Sequence, residues 1–127
     1  MAQRLVRAKR KIRKAGIPYR IPDDQEWPDR LASVLNVLYL IFNEGYSASS
    51  GETGIRTDLC EEALRLVRIL LHLTPDEAEV KGLLALLILN HSRRAARYAA
   101  DGSYIPLDRQ DRKLWDEGRI REGISLV

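Results

Sequence analysis

A run of cations near the N-terminus is the feature of this sequence with the most evident chemistry. Residues 1–22 contain eight of the 21 Lys and Arg residues and no acidic residue, so a net charge of +3 for the chain leaves −5 for the remainder. Side chains of these types reach phosphates and base edges when a helix lies in a groove of DNA. The candidate contacts are Gln3, Arg4, Arg7, Lys9, Arg10, Lys11, Arg13 and Lys14.

Three interpretations of this basic segment follow from its physical chemistry. It is a solvated charged face, a helix at a membrane surface, or part of a nucleic-acid-binding helix. Its apolar side, formed by Leu5, Val6 and Ile12, lacks the large aromatic residue that favours insertion into a bilayer. The residue types alone leave the other two interpretations open.

A second candidate site is the polar cluster that ends an apolar segment at Asn43-Glu44-Gly45-Tyr46. The amide and the carboxylate there either cap backbone groups at a helix end or line a small cleft. Capping is the favoured interpretation. The candidate cleft residues are Asn43, Glu44 and Tyr46.

The inventory of reactive residues does not favour an enzyme. His72 and His91 lie 19 residues apart, and neither has a metal-ligating neighbour at the spacing of one helical turn, so we expect both to favour helix C-termini. Cys60, the single cysteine, falls in an apolar stretch and is expected to be a small buried hydrophobe. We therefore predict no catalytic, cofactor or metal site.

The loop at residues 45–54 supplies no catalytic pattern either. Its serines, Ser47, Ser49 and Ser50, lack the context of a nucleophile elbow. The stretch 51–54 lacks the lysine and the spacing of a phosphate-binding loop. A connection of ten residues is nevertheless long for a helical domain, which hints at a function without naming it.

The hydrophobic periodicity predicts an all-α fold. A basic helix is expected over residues 2–15, followed by a proline-rich linker. From Pro28 to about Gly45 the apolar residues cover nearly the whole circumference, so this helix is predicted to be central.

Two further helices are predicted to form an antiparallel hairpin. The first covers about residues 55–73 and has one apolar stripe. Thr74-Pro75-Asp76-Glu77 has the signature of a capping box, which predicts a second helix over 75–90 capped by Thr74. This pair resembles a tetratricopeptide unit, with Pro75 at the joint.

The C-terminal part is predicted to be a turn followed by a last helix. Residues 91–100 either continue the preceding helix after a kink or begin another, and Asp101-Gly102 indicates a turn with a few extended residues nearby. Asp108 is the expected cap of a helix that carries Leu114, Trp115, Ile120 and Ile124, weakened by two glycines. The domains are thus residues 1–16, a linker at 17–27 and a helical body at 28–127.

Five segments carry a resemblance to a known family. They are AQRLVRAKRKIRKAGIPY (2–19), RLASVLNVLYLIFNEGYSASSG (30–51), RTDLCEEALRLVRIL (56–70), PDEAEVKGLLALLIL (75–89) and DRQDRKLWD (108–116). The first resembles the end of the helix-turn-helix recognition helix of an extracytoplasmic-function sigma factor. The others resemble the C-terminal extension of a subgroup of these sigma factors, with Arg109-Gln110 slightly altering the last motif.

The resemblance implies a non-catalytic regulatory or interaction domain in transcription initiation. Gln3, Arg4 and Arg7 would then face promoter DNA, and the other basic residues of the helix would contact phosphates or RNA polymerase. The implied partners are promoter DNA, the RNA polymerase core and other domains of the same sigma factor. We expect the natural protein to continue beyond both ends of the chain, and the uncovered apolar stripes of the chain itself to favour a homodimer.

Two alternatives remain from the residues alone. One is a helical protein-protein adaptor with a basic arm, and the other is a small-molecule sensor that uses the candidate cleft. The lone cysteine and the lack of a long apolar run favour a cytoplasmic protein without membrane contact.

Overall fold

The chain is entirely helical apart from turns and one isolated bridge, in the residues that the structure describes. A computed structural model describes residues 2–16, 20–46 and 56–127. They form the α-helices α1 (Ala2–Lys14), α2 (Trp27–Tyr46), α3 (Thr57–Leu73), α4 (Ala78–His91) and α5 (Glu117–Ser125). Three short 3₁₀ turns lie between α4 and α5 at Arg94–Ala96, Leu107–Arg109 and Arg112–Leu114. This confirms the all-α fold class.

The chain divides into two compact units, Met1–Arg30 and Leu31–Val127.

The first unit holds α1, whose residues are all exposed. Gly16, with φ of +64°, follows the helix and adopts the left-handed conformation that commonly ends helices. The described part of the predicted linker is a turn that leads into α2. The Asp23 carboxylate accepts hydrogen bonds from the backbone N–H groups of Gln25 and Glu26 at 3.0 and 2.9 Å.

The core of the second unit lies around α4, and the prediction that α2 would be central is wrong. Helix α4 buries six residues, which cover nearly half of its circumference: Val80, Leu84, Ala85, Leu87, Ile88 and His91. Helix α2 buries Leu31, Leu38 and Phe42 on one face, whereas Val37 and Leu40 remain 54% and 57% exposed. The apolar composition of α2 could not reveal this difference, because it does not say which elements pack on the helix.

Helices α3 and α4 form the predicted hairpin, but the predicted capping box is absent. The Thr74 hydroxyl donates to the Leu70 carbonyl at 2.6 Å, and Thr74 ends α3 instead of starting α4. Helix α4 begins at Ala78, with Glu77 at its N-cap position. The threonine hydroxyl thus bonds back to a carbonyl of the helix before it, which also accepts from the Thr74 N–H at 2.9 Å. Local sequence allows this alternative equally well.

The segment after α4 folds back as a tight turn. Tyr98 and Tyr104 form an antiparallel bridge around Gly102, whose φ is +84°. The Asp101 carboxylate stabilises the turn by accepting from the Ser103 N–H and hydroxyl groups. The predicted turn with nearby extended residues is confirmed.

The last helix is shorter than predicted and begins later. Asp108 lies within a 3₁₀ turn, and the N-cap of α5 is Asp116, whose carboxylate accepts from the Arg119 N–H at 3.1 Å. Leu114 and Trp115 therefore precede the helix. Gly123, predicted to weaken it, is buried, and a Cβ there would lie 2.7 Å from the Leu89 side chain, so the glycine permits close packing of α5 on α4.

Within the described ranges, no helix combines the length and apolarity needed to cross a membrane.

Candidate functional site

The first candidate site is the basic helix α1, where all eight predicted contact residues are exposed. Residues of an α-helix are separated by about 100° around its axis. This rotation brings six of them to one face and sets Lys9 and Arg13 apart from it, beside Val6. The six are Gln3, Arg4, Arg7, Arg10, Lys11 and Lys14. A groove-binding helix presents one face to DNA, so Lys9 and Arg13 are poorly placed to contact it directly.

The second candidate site is a cavity of about 150 Å³ between α2 and α4. The structure brings Asn43 and Tyr46 of the predicted cleft together in its lining, whereas Glu44 is exposed and is not part of the lining. Sequence reasoning missed the other lining residues: Tyr39, Phe42, Leu86, Leu87 and Asn90. Those on α4 could not be found from the sequence, because they approach α2 only in the folded chain.

The ring of Tyr46 is held on both sides. It stacks on Phe42 with centroids 5.4 Å apart and planes inclined by 22°, and the Arg97 guanidinium carbon lies 3.3 Å from its centroid. Arg97 also lies 5.7 Å from the ring of Tyr98 and 5.5 Å from that of Tyr104. Cation–π contacts of this kind fix the orientation of a ring. One wall of the cavity is therefore formed by a ring that packs against both Phe42 and Arg97.

A third cluster joins α3, α4 and α5 and was missed by the sequence analysis. Glu61 lies 3.0 Å from Nε2 of His91 and 2.6 Å from the Arg119 guanidinium. The His91 side chain is 0% exposed. His91 lies at a helix C-terminus, as the sequence predicted. Nothing in the sequence indicated that α5 would bring an arginine to the carboxylate of Glu61.

Burial and charge set the ionisation of this cluster. Burial lowers the pKa of His91, and the Glu61 carboxylate opposes that shift without overcoming it. Burial alone would raise the pKa of Glu61, but the hydrogen bond from His91 and the charge of Arg119 outweigh it and lower the pKa. Since the carboxylate can only accept, neutral His91 carries its proton on Nε2. The Nδ1 atom is buried and has no hydrogen-bond partner among the described residues, so in this tautomer it is an unpaired acceptor.

We expect the free energy of unfolding to fall as the pH drops below 6.5, the ordinary pKa of histidine. The folded state holds His91 at a lowered pKa, so the unfolded state binds a proton first and gains stability over this window. Urea unfolding between pH 8 and 5.5 measures the effect and stays above the range in which Glu61 titrates.

His91→Gln should flatten this pH dependence, because the amide can still donate to Glu61 but does not titrate. His72→Gln is the matched control, since His72 is exposed at the end of α3. An unchanged slope in His91→Gln would contradict the assignment.

Cys60 is the buried hydrophobe that the sequence predicted. It is 0% exposed, and its Sγ lies 3.7 Å from the Phe42 carbonyl oxygen. Burial, with the nearby Glu61 and Asp58, raises the pKa of its thiol to about 11, so the thiolate that a nucleophile or metal ligand requires is not formed at neutral pH. In the described residues, no group of three His, Cys, Asp or Glu side chains could hold a metal ion. Ser47, Ser49, Ser50 and residues 51–54 lie outside the described residues.

Comparison with known proteins places the helical body in a group without an assigned role. Residues 30–127 match the model of a family of unknown function, DUF6596. The whole chain is 49% identical over 127 residues to an uncharacterised protein of Rhizobium meliloti (strain 1021). The chain spans 30% of the length of that relative. No solved structure matches the chain.

Proposed function

Since this chain belongs to the family of unknown function DUF6596, we propose a role for it that the family description leaves open. The chain is the regulatory or interaction extension of an extracytoplasmic-function sigma factor, and it takes part in transcription initiation without catalysing a reaction. Its partners are promoter DNA, the RNA polymerase core and other domains of the same protein. Its compartment is the cytoplasm.

The observation that carries the proposal is the fully exposed basic helix α1. Seven cations on 13 residues, without an acidic residue in the helix, produce a strong positive potential. The exposed Leu5, Val6 and Ile12 give α1 an apolar side as well, as expected of a helix that packs on partner helices in a DNA-binding domain. The sequence motifs that resemble sigma factors support the same role.

The length of the relative also supports the proposal. The match covers 30% of that protein, which leaves room for a promoter-melting domain and the remainder of a helix-turn-helix. The non-catalytic assignment is supported by the ionisable groups of the body, where the Cys60 thiol is protonated and His91 is buried against Glu61.

The genomic reading frame upstream of codon 1 gives the most direct test. We expect it to encode a promoter-melting domain and the missing helices of the DNA-binding domain. A stop codon directly upstream, followed by a ribosome-binding site, would overturn the proposal and favour a helical adaptor with a basic arm.

The faces of α1 provide a biochemical test in the natural protein that carries this segment. We expect Arg7→Gln with Lys11→Gln to reduce promoter-specific initiation with core polymerase by at least about tenfold, because contacts of these types contribute about 1–3 kcal/mol each. Lys9→Gln with Arg13→Gln removes the same charge at the same spacing from the other side of the helix and should leave initiation within about twofold.

Equal losses in the two double variants would show that only the overall charge matters, against groove recognition. For the 127-residue chain alone we expect weak, non-specific and steeply salt-dependent DNA binding, because a single helix lacks a fixed orientation in the groove. A sequence-selective gel shift of that chain at physiological salt would contradict this expectation.

A further inference from the structure

The cavity between α2 and α4 has the dimensions of a single aromatic ring. Pockets that hold drug-sized molecules have volumes of about 300–1,000 Å³, whereas this cavity has about 150 Å³. An apolar protein cavity of about 150 Å³ is large enough for benzene. The volume therefore limits the occupant to a molecule of about one ring.

The walls of the cavity favour an aromatic occupant. Three of its lining residues are aromatic, Tyr39, Phe42 and Tyr46, and Leu86 and Leu87 supply aliphatic contacts from α4. The rings of Phe42 and Tyr46 are fixed by their mutual stacking, by Arg97 on Tyr46 and by the His91 ring against Phe42 at 6.1 Å. Rigid aromatic walls bind a flat ring without the entropic cost of ordering the site.

The polar groups at the cavity favour an uncharged occupant with one hydrogen-bonding group. The Asn90 amide is already engaged, because its Nδ2 donates to the Leu86 carbonyl at 2.8 Å and its Oδ1 accepts from Arg93 at 2.9 Å. The Asn43 side chain makes no hydrogen bond to another described residue. Among the described residues, the lining contains no Lys, Arg, Asp, Glu or His. The two guanidinium groups next to it are already engaged, that of Arg93 by the Asn90 amide and that of Arg97 by the Tyr46 ring. A carboxylate or ammonium group in the cavity would therefore lose hydration without a free opposite charge in the lining.

We infer that this cavity binds a small, uncharged, single-ring aromatic molecule that carries one hydroxyl or comparable polar group, which Asn43 recognises. The ring lies between the aromatic side chains of α2 and the leucines of α4. Binding of this kind depends on the second unit alone, so its test is independent of the proposed role in transcription.

Phenol is the probe for the test, with toluene and benzoate as comparisons. In a titration of the ¹⁵N-labelled 127-residue chain followed by NMR, we expect phenol to give saturable shifts of the Asn43, Leu87 and Asn90 amides. The dissociation constant should be on the order of millimolar or below, given so few ligand atoms. Toluene should bind several-fold more weakly, and benzoate should give no saturable shifts.

Two variants with the same substitution locate the site. Leu86→Trp fills the cavity from a side chain that is itself 47% exposed, and it should abolish the phenol shifts. Leu40→Trp adds the same ring to a similarly exposed position of α2 outside the lining and should leave binding unchanged. Both variants should keep the fold, since each new ring has solvent beside it.

Asn43→Leu tests the polar contact, and it should remove the preference for phenol over toluene. The inference is overturned if phenol gives no saturable shifts, if Leu86→Trp and Leu40→Trp bind phenol equally, or if benzoate binds as tightly as phenol.

Discussion

Replacing Gly45 with alanine is expected to destabilise the second unit by about 2–3 kcal/mol. A Cβ at this position would lie 2.8 Å from the Leu59 Cβ, 2.9 Å from the Arg56 carbonyl oxygen and 2.9 Å from the Cys60 nitrogen. Two of these are backbone atoms, which cannot move aside as a flexible side chain does. Overpacking of this kind costs about 1–3 kcal/mol and occasionally more.

The same substitution would disturb the hydrogen bond that joins α2 to the start of α3. The Arg56 N–H donates to the Gly45 carbonyl at 2.7 Å, next to the close approach. Urea unfolding measures the free energy, and the expected loss lowers the melting temperature by on the order of 10 °C.

Gly82→Ala is the matched control for Gly45→Ala. Gly82 lies inside α4, and a Cβ there would meet no atom within 4 Å. The alanine should therefore stabilise the unit by about 0.5–1 kcal/mol through its higher helix propensity. If both alanines were stabilising, the close approach at Gly45 would not exist in solution.

The second large effect is expected from Phe42→Ala, at about 3–5 kcal/mol of destabilisation. Phe42 is 2% exposed, stacks on Tyr46, contacts the ring of His91 edge-on and lies in the wall of the cavity. Its removal leaves a space that the helices around it cannot close without moving. Unfolding in urea measures the loss.

Leu40→Ala on the same helix tests whether α2 is buried on one face only or on all of its faces. Leu40 is exposed, so its truncation should change the free energy of unfolding by no more than about 0.5 kcal/mol. A loss comparable to that of Phe42→Ala would mean that the outer face of α2 is covered in solution, for example by the second copy of the chain that the sequence analysis anticipated.

The sequence pattern predicted that α2 would be buried on all sides, and the contrast between Phe42 and Leu40 shows why this prediction is wrong. Its apolar residues lie all around the helix, and composition alone then favours burial on every side. The structure buries only the face with Leu31, Leu38 and Phe42. Near the C-terminal end of α2 this face meets α3 at Cys60 and α4 at the cavity. Helix α4 was correctly predicted as a helix, but its central position depends on α3 and α5, which both pack against it.

The errors at helix ends have a common physical cause. Thr74 could cap the helix after it or satisfy a carbonyl of the helix before it, and Asp108 and Asp116 are both competent N-cap residues. Each of these capping interactions contributes about 1 kcal/mol to stability, so the difference between the alternatives is small and tertiary packing decides which one forms. Asp116 is placed by its own backbone N–H, which donates to the Ser92 carbonyl at 2.8 Å.

The sequence alone determined those properties that depend on neighbours along the chain. Hydrophobic period and turn residues were enough for the helical class, for the α3–α4 hairpin and for a basic α1, and an apolar context was enough for the burial of Cys60. The faces of α1 follow from helical rotation alone. All of these depend on interactions within about one helical turn or on average burial.

The tertiary structure decided every feature that depends on contact between residues far apart in the sequence. Glu61, His91 and Arg119 come from three different helices. The aromatic cavity is lined by residues of α2 and α4. Arg97, which follows α4 in the sequence, packs on the ring of Tyr46. These contacts depend on which faces of the helices pack together. The same local sequence patterns allow many packing arrangements, and the free energy of packing selects one of them. The cationic helix could therefore be recognised from the sequence, whereas the buried histidine cluster and most of the cavity could be found only in the folded chain.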